Sequence, residues 1–299
     1  MADTLTGTTR RRLLQGLTLS SFGLASLSTE AQADSAAPDL TEPADLLAAS
    51  IKMRGSLDER LAFIWMRGTR YTLVNGEALP LCGYLGGSIT RYRQLADDAY
   101  EFLLYEISYY TDLETGEVLQ TLRMPYVDRE VDVPLYRTGP GRHVVMLANE
   151  EELEWSAKKT TGEELARQLA PDAKIYYRFN LRPAVTFRDQ VWIRSDSFTR
   201  LVPRDTAQPG MFYKEAITYQ ASQAELARAG SVQVDSLLSF AISTAWRPWM
   251  QMGGIDGHTT TDGIGGKELS MAAMPADFLR FTEAFHPDVL DDPAALLKL

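Results

Sequence analysis

Apolar and polar residues alternate along much of this chain at the two-residue period of a half-buried β-strand. The clearest stretch is 175–182, where Ile175, Tyr177, Phe179 and Leu181 alternate with Tyr176, Arg178, Asn180 and Arg182. A second is 100–110, with Leu103, Tyr105, Ile107 and Tyr109 on one face. Further strands are predicted at 62–74, 81–92, 117–126, 131–135, 143–147, 185–194, 211–220 and 232–243. Their punctuation fits: Asn75-Gly76 marks a two-residue hairpin turn, Gly86-Gly87 a bulge or bend, and Arg188-Asp189-Gln190 a kink or turn. Helices are fewer, at 43–53, 222–229 and 275–285, where Pro287 follows. Another opens at Thr161 and Glu164, a possible capping box, and ends near Ala170.

No regular strand–helix–strand alternation runs through this pattern. A mainly β fold is therefore expected, with a few flanking helices. Its core would be a large antiparallel sheet closed into a barrel, lipocalin-like in general architecture. Closure also removes the exposed edges that so many aromatic strands would otherwise present. A two-sheet sandwich is the alternative.

The first residues follow a different pattern. Thr9-Arg10-Arg11-Arg12-Leu13-Leu14-Gln15 fits a twin-arginine export signal, a short apolar stretch follows, and Ala31-Gln32-Ala33 is a small-x-small cleavage site. Arg10, Arg11, Ala31 and Ala33 are its diagnostic positions. The apolar stretch is shorter than the ~20 residues that span a bilayer. The expected organisation is a signal peptide at 1–33, a linker at 34–45 and one mostly-β domain at 46–290. Its partner is the twin-arginine export machinery, and its destination is the periplasm or the exterior.

Composition narrows the function classes. The 299 residues carry 30 basic and 40 acidic side chains, a net charge of −10. Three arginines and two acids fall in the leader, so the remainder is one unit more negative, −11. That balance argues against a nucleic-acid partner, and no run supports stable membrane insertion. A single cysteine, Cys82, excludes an internal disulfide.

Known catalytic signatures fail. Gly86-Gly87-Ser88-Ile89-Thr90 lacks the last glycine of a nucleophile elbow, and Gly265-Gly266-Lys267-Glu268 lacks essential parts of a phosphate loop. Ser156 and Lys159 have serine–lysine spacing but lack the separate later strand of that site. No metal site is assigned, because His143, His258 and His286 are scattered, and the Asp256–Asp262 segment lacks the calcium-loop spacing. The cofactor stays unknown.

Two segments carry candidate chemistry. In Trp246-Arg247-Pro248-Trp249-Met250-Gln251-Met252-Gly253-Gly254, Trp246, Trp249 and Met252 would wall an apolar pocket or plug a barrel end. The polar face Tyr176, Arg178, Asn180, Arg182 faces either the lumen or water. In the lumen, Tyr176 and Asn180 would touch a ligand, and Arg178 and Arg182 would clamp an anion. His143 and His258 are the candidates for proton transfer.

Taken together, several segments resemble one family, the uncharacterised domain of unknown function 1838. They are Tyr109-Tyr110-Thr111-Asp112 with Thr115-Gly116-Glu117, the strand at 174–182, the Trp246-to-Gly253 corner, and the glycines before Lys267. The resemblance spans roughly 50–285 and implies neither an activity nor catalytic residues. The reading that follows is an exported barrel binding a small apolar or aromatic ligand. The alternatives are a periplasmic acid–base enzyme acting on a small oxygenated substrate, and a structural or partner-binding envelope protein.

Overall fold

The computed structural model describes residues 37–153, 174–202 and 211–298. Helix α1 (Pro43–Arg54) opens with Pro43 in the first turn, where a missing N–H costs nothing. Asp45 lies in its first turn and Lys52 and Arg54 in its last, matching the helix dipole. Leu47, Ile51 and Met53 bury its apolar side completely.

Three long strands follow: β1 (Ala62–Val74), β2 (Glu77–Ala96) and β3 (Ala99–Thr111). Asn75 and Gly76 both take positive φ between β1 and β2, as the hairpin turn requires. A short separate hairpin pairs β4 (Thr121–Met124) with β5 (Arg129–Asp132). Then come β6 (Tyr136–Val145), β7 (Ala148–Leu153), β8 (Lys174–Leu181), β9 (Val185–Phe187), β10 (Gln190–Val202) and β11 (Met211–Ser222). A one-turn helix α2 (Gln223–Leu226) precedes β12 (Leu237–Ala245) and β13 (His258–Glu268). Helices α3 (Ala276–Phe285) and α4 (Asp288–Asp291) follow, and a 3-10 turn at Ala295–Leu297 is the last described element.

The large sheet has the order β6-β3-β2-β1-β13-β12-β11-β10-β8-β7, with β9 added on β10. Every pairing is antiparallel. The two terminal strands of this path, β6 and β7, are separated by only Met146 and Leu147, so the sheet curls until it nearly closes into a barrel. Across the seam the His143 and Tyr177 rings stand 5.2 Å apart.

Period-two alternation sorts the side chains. In β12, Leu238, Phe240, Ile242 and Thr244 are buried toward the interior, while Leu237, Ser239 and Ala241 are exposed. α1 closes one end of the barrel, packing with Ile64, Tyr92, Val191, Ala221 and Leu238 in one core cluster. The other end is closed by the β4–β5 hairpin and the 246–252 corner. On the outside, α3 lays Phe278 and Phe281 on Leu103, Tyr105, Ile107 and Tyr109 of β3. Gly87 permits this close approach, since a Cβ there would lie 2.3 Å from Phe278.

The barrel expectation holds, but several elements differ. β13 is a central strand between β1 and β12, where the alternation predicts no strand. Its Thr-Thr-Thr run and glycines show no apolar alternation, yet Thr259 and Thr261 are fully buried. β7, with three consecutive glutamates, went unread for the same reason. The strand expected at 117–126 shrinks to β4, and that expected at 232–243 begins five residues later, at Leu237. Gly86-Gly87 is not a bulge; the register shifts at Arg70/Tyr71, opposite Cys82 and Pro80. The last residues of the expected linker are already helical, because α1 begins at Pro43. The leader expected at 1–33 and the helix expected to end near Ala170 lie outside the described residues. No described helix is long and apolar enough to cross a membrane.

Candidate functional site

The barrel interior is not uniformly apolar. β3 turns Leu103, Tyr105, Ile107 and Tyr109 outward under α3, so Phe102, Leu104, Glu106, Ser108 and Tyr110 face the lumen. β11 likewise turns Tyr213, Glu215, Ile217 and Tyr219 inward, with Lys214 exposed. Glu106 and Glu215 therefore reach the lumen from different walls. Both remain half-buried, as do Tyr84, Tyr136 and Tyr213. These side chains face the interior and still carry accessible surface, so solvent reaches them.

The electrostatics follow from that enclosure. Desolvation and, after it, the Glu215 charge raise the Glu106 carboxyl to about 7, with Arg247 partly opposing them. Burial also raises Glu215, against a hydrogen bond from Tyr213 and the charge of Arg54. Tyr213 Oη donates to Glu215 Oε2 at 2.7 Å. Burial and the two carboxylates hold the Tyr213 phenol well above its ordinary value, so it stays protonated and donates. Arg247 lies over the Tyr213 ring, 5.6 Å from its centroid.

A second cation is built into the wall. Arg70 is 3% exposed; its Nε donates to Thr261 Oγ1 at 2.9 Å and its Nη1 to Tyr110 Oη at 3.1 Å. Its guanidinium stacks over Tyr110 at 4.8 Å. The neighbouring Cys82 thiol is buried, and desolvation pushes it up to about 11, so it stays protonated and unreactive.

The residues expected from sequence divide between inside and outside. Trp249 packs on Tyr110 at 5.4 Å, and Trp246 Nε1 donates to the Ile255 carbonyl at 2.9 Å. Met252 is buried among Leu81, Met124 and Val131. The corner thus plugs the barrel end, and the side chain it directs at the lumen tyrosines is Arg247. His143 lies on the lumen face of β6, paired with Phe102, and desolvation lowers its pKa so that it is neutral at pH 7. His258 lies on the outer face beside Phe212, their centroids 6.0 Å apart.

The lumen reading of the 176–182 polar face is corrected. Phe179 and Leu181 are buried inside, and the alternation places Tyr176, Arg178, Asn180 and Arg182 outside. Arg178 covers Phe198, Arg200 covers Tyr176, and Arg182 is bonded to Asp196 at 2.6 Å. Arg178 and Arg182 therefore do not clamp an anion in the lumen; among the described residues the interior arginines are Arg54, Arg70 and Arg247. The strand took this orientation because Tyr177, Phe179 and Leu181 gain more by burial than a charged face could. Among the described residues no three His, Cys, Asp or Glu side chains converge as metal ligands.

Sequence reasoning missed Glu106 and Glu215. The available signal was parity: each is an acid on the otherwise apolar or aromatic interior face of a strand whose register was readable.

The fold and the site together define a nearly closed antiparallel β-barrel with a partly accessible lumen, lined by tyrosines and carboxylates. The chain belongs to the family described as Protein of unknown function (DUF1838), whose model matches residues 59–295. No curated protein matches it.

Proposed function

We propose that this protein binds a small oxygenated aromatic molecule inside the barrel, hydrogen-bonded to Glu106 and Glu215. The supporting observation is that Glu106 is interior, raised toward 7 and still reachable by solvent. A carboxylate kept merely for stability would be paired, because an apolar replacement is usually at least as stable. Tyr84, Tyr136 and Tyr213 offer flat apolar faces with hydroxyls at their rims, which suits a ring carrying oxygen substituents. The test is calorimetric titration with 4-hydroxybenzamide, phenol and benzyl alcohol. Saturable binding, weakened at least about tenfold (~1.4 kcal/mol) by Glu106→Ala with Glu215→Ala, supports the reading. Absence of saturable binding by all three sinks it.

A second reading draws on the same Glu106. A carboxyl near 7 is matched to general acid–base work at neutral pH. As an enzyme, the protein would use Glu106 and Glu215, rather than His258, to move a proton on the bound oxygenated ring. Turnover lost in Glu106→Gln while binding persists would select this reading.

Export to the periplasm or exterior by the twin-arginine route completes the proposal, supported by the Arg10-Arg11 pattern and the Ala31–Ala33 site. Protein recovered after export should have the mass of 34–299. Arg10→Lys with Arg11→Lys should trap the full chain inside the cell.

A further inference from the structure

The α1 end of the lumen holds a charge that the fold does not neutralise. Arg54 is 9% exposed, and its Cζ lies 5.9 Å from the Phe102 centroid, 5.4 Å from Phe179 and 5.6 Å from Tyr219. Phe102 is itself stacked on Tyr92 at 4.7 Å and 12°. The guanidinium is permanently charged. It donates to the Tyr92 and Tyr219 hydroxyls, yet it makes no salt bridge with a described acid, and its Nε and Nη1 find no hydrogen-bond partner among the described residues. Leaving such donors buried is costly, more so for a charged group.

A second orphan lies against the same rings. The His143 imidazole is 6.3 Å from the Phe102 ring, centroid to centroid, and its buried Nδ1 also lacks a partner among the described residues. Orphaned nitrogens of two side chains thus border one aromatic cage. Phe102, His143 and Tyr177 are half-buried, so the accessible lumen extends to them. Two other buried cations are matched: Arg70 by Thr261 and Tyr110, and Lys267 by two carbonyls.

We infer that Arg54 and His143 form an oxyanion-recognising subsite, and that the ligand is an aromatic carboxylate whose acid group they bind. This rests on the lumen-binding reading above and names the chemical class of its ligand. The carboxylate accepts from Arg54 and from the Nδ1–H tautomer of neutral His143. The ring lies among Phe102, Tyr177 and Tyr219, and its distal oxygen is directed toward Glu215, whose charge is felt at Arg54. Both Arg54 nitrogens are dry, so the carboxylate enters by displacing a half-buried ring such as Phe102. A single negative charge balances the cage. A dianionic phosphate would add a second beside Glu215.

The experiment compares two probes of one shape on the full chain. 4-Hydroxybenzoate, ionised at pH 7, and neutral 4-hydroxybenzamide are titrated calorimetrically. The expected result is at least about tenfold tighter binding of the carboxylate. Arg54→Met should abolish that preference, and His143→Phe should reduce it with the fold retained. Equal affinities in the unsubstituted protein overturn the carboxylate assignment while leaving lumen binding intact. Binding of neither probe overturns the carboxylate assignment, and the lumen reading falls with it when phenol and benzyl alcohol also fail to bind. Because the decisive comparison needs no substitution, an Arg54 variant that fails to fold does not shelter the proposal.

Discussion

β3 has two faces, and they are built on opposite principles. Outward, Leu103, Tyr105, Ile107 and Tyr109 meet Phe278 and Phe281 of α3 in a packed apolar layer. Its two hydroxyls are matched: Tyr109 Oη donates to Thr282 Oγ1 at 3.1 Å, which in turn donates to the Phe278 carbonyl at 2.8 Å, and Tyr105 Oη accepts from Arg137 Nε at 2.6 Å. Inward, one residue away at each step, Phe102, Glu106 and Tyr110 face a space that holds carboxylates, arginines and orphaned donors. The sheet wall therefore separates stability from function: α3 secures the strand from behind, so the lumen face is free to carry groups that destabilise the fold.

The sharpest test of that division removes the outer anchor. Phe278 is 1% exposed and touches both Tyr109 and the Gly87 backbone region. Phe278→Ala should cost about 4 kcal/mol in urea unfolding, more than any substitution at the lumen or on the exposed surface. It should leave the pH dependence of stability unchanged, because no lumen carboxyl touches it. A pH profile altered along with the midpoint would break the separation of the two faces.

The reciprocal test acts on the lumen. Glu106 ionises near its ordinary 4.5 when unfolded and at about 7 when folded, raised first by desolvation and then by Glu215. Between these values the native state holds a proton that the unfolded chain releases. Stability should therefore fall as pH rises from about 4.5 to 7, by about 3 kcal/mol in all. Glu106→Gln, a neutral isostere, should flatten that descent and leave the variant more stable than the parent at pH 8. An unchanged slope would mean that Glu106 is solvated and the lumen is not the low-dielectric space described.

How much of this was legible beforehand also follows the two faces. The outer apolar face of β3 announced itself by period, as did the barrel and the Asn75-Gly76 turn. Orientation did not: the Tyr176–Arg182 face reads identically whether it meets water or a lumen, and only neighbouring strands decide. β13 was invisible because its burial comes from position, central in the sheet, and not from apolar side chains. Glu106 was visible in principle as an acid in phase with Phe102 and Tyr110. Its partner Glu215 lies more than a hundred residues away, and only closure of the barrel brings the two together.

A smaller effect is expected at the α1 end. Lys267 Nζ donates to the carbonyls of Lys52 at 2.6 Å and Gly55 at 3.1 Å, tying the helix C-terminus to β13. Desolvation lowers this amine to about 8, against the charges of Asp235 and Glu225. The unfolded chain holds the proton to about 10.5, so stability should rise as pH climbs from 8 to 10.5. Lys267→Met orphans two carbonyls but relieves a buried charge, for a net loss of about 1 kcal/mol at pH 7. It should also erase the alkaline rise, which a residue packed merely for shape would not produce.

The smallest effect belongs to the outer surface, and its smallness is what the comparison requires. Arg67 reaches from β1 to Asp277 in the first turn of α3, with its Nη2 2.7 and 2.6 Å from the two carboxylate oxygens. The geometry is as close as that of the lumen contacts, but the arginine side chain is 51% exposed. Water solvates both charges before and after pairing, so little is gained. Arg67→Gln should cost no more than about 0.5 kcal/mol, and the difference should vanish in 1 M salt, where the Debye length is about 3 Å. A loss of several kcal/mol, insensitive to salt, would place strong electrostatics on the outer face as well. In that case the charged lumen would not be special, and the wall between the two faces of β3 would separate nothing.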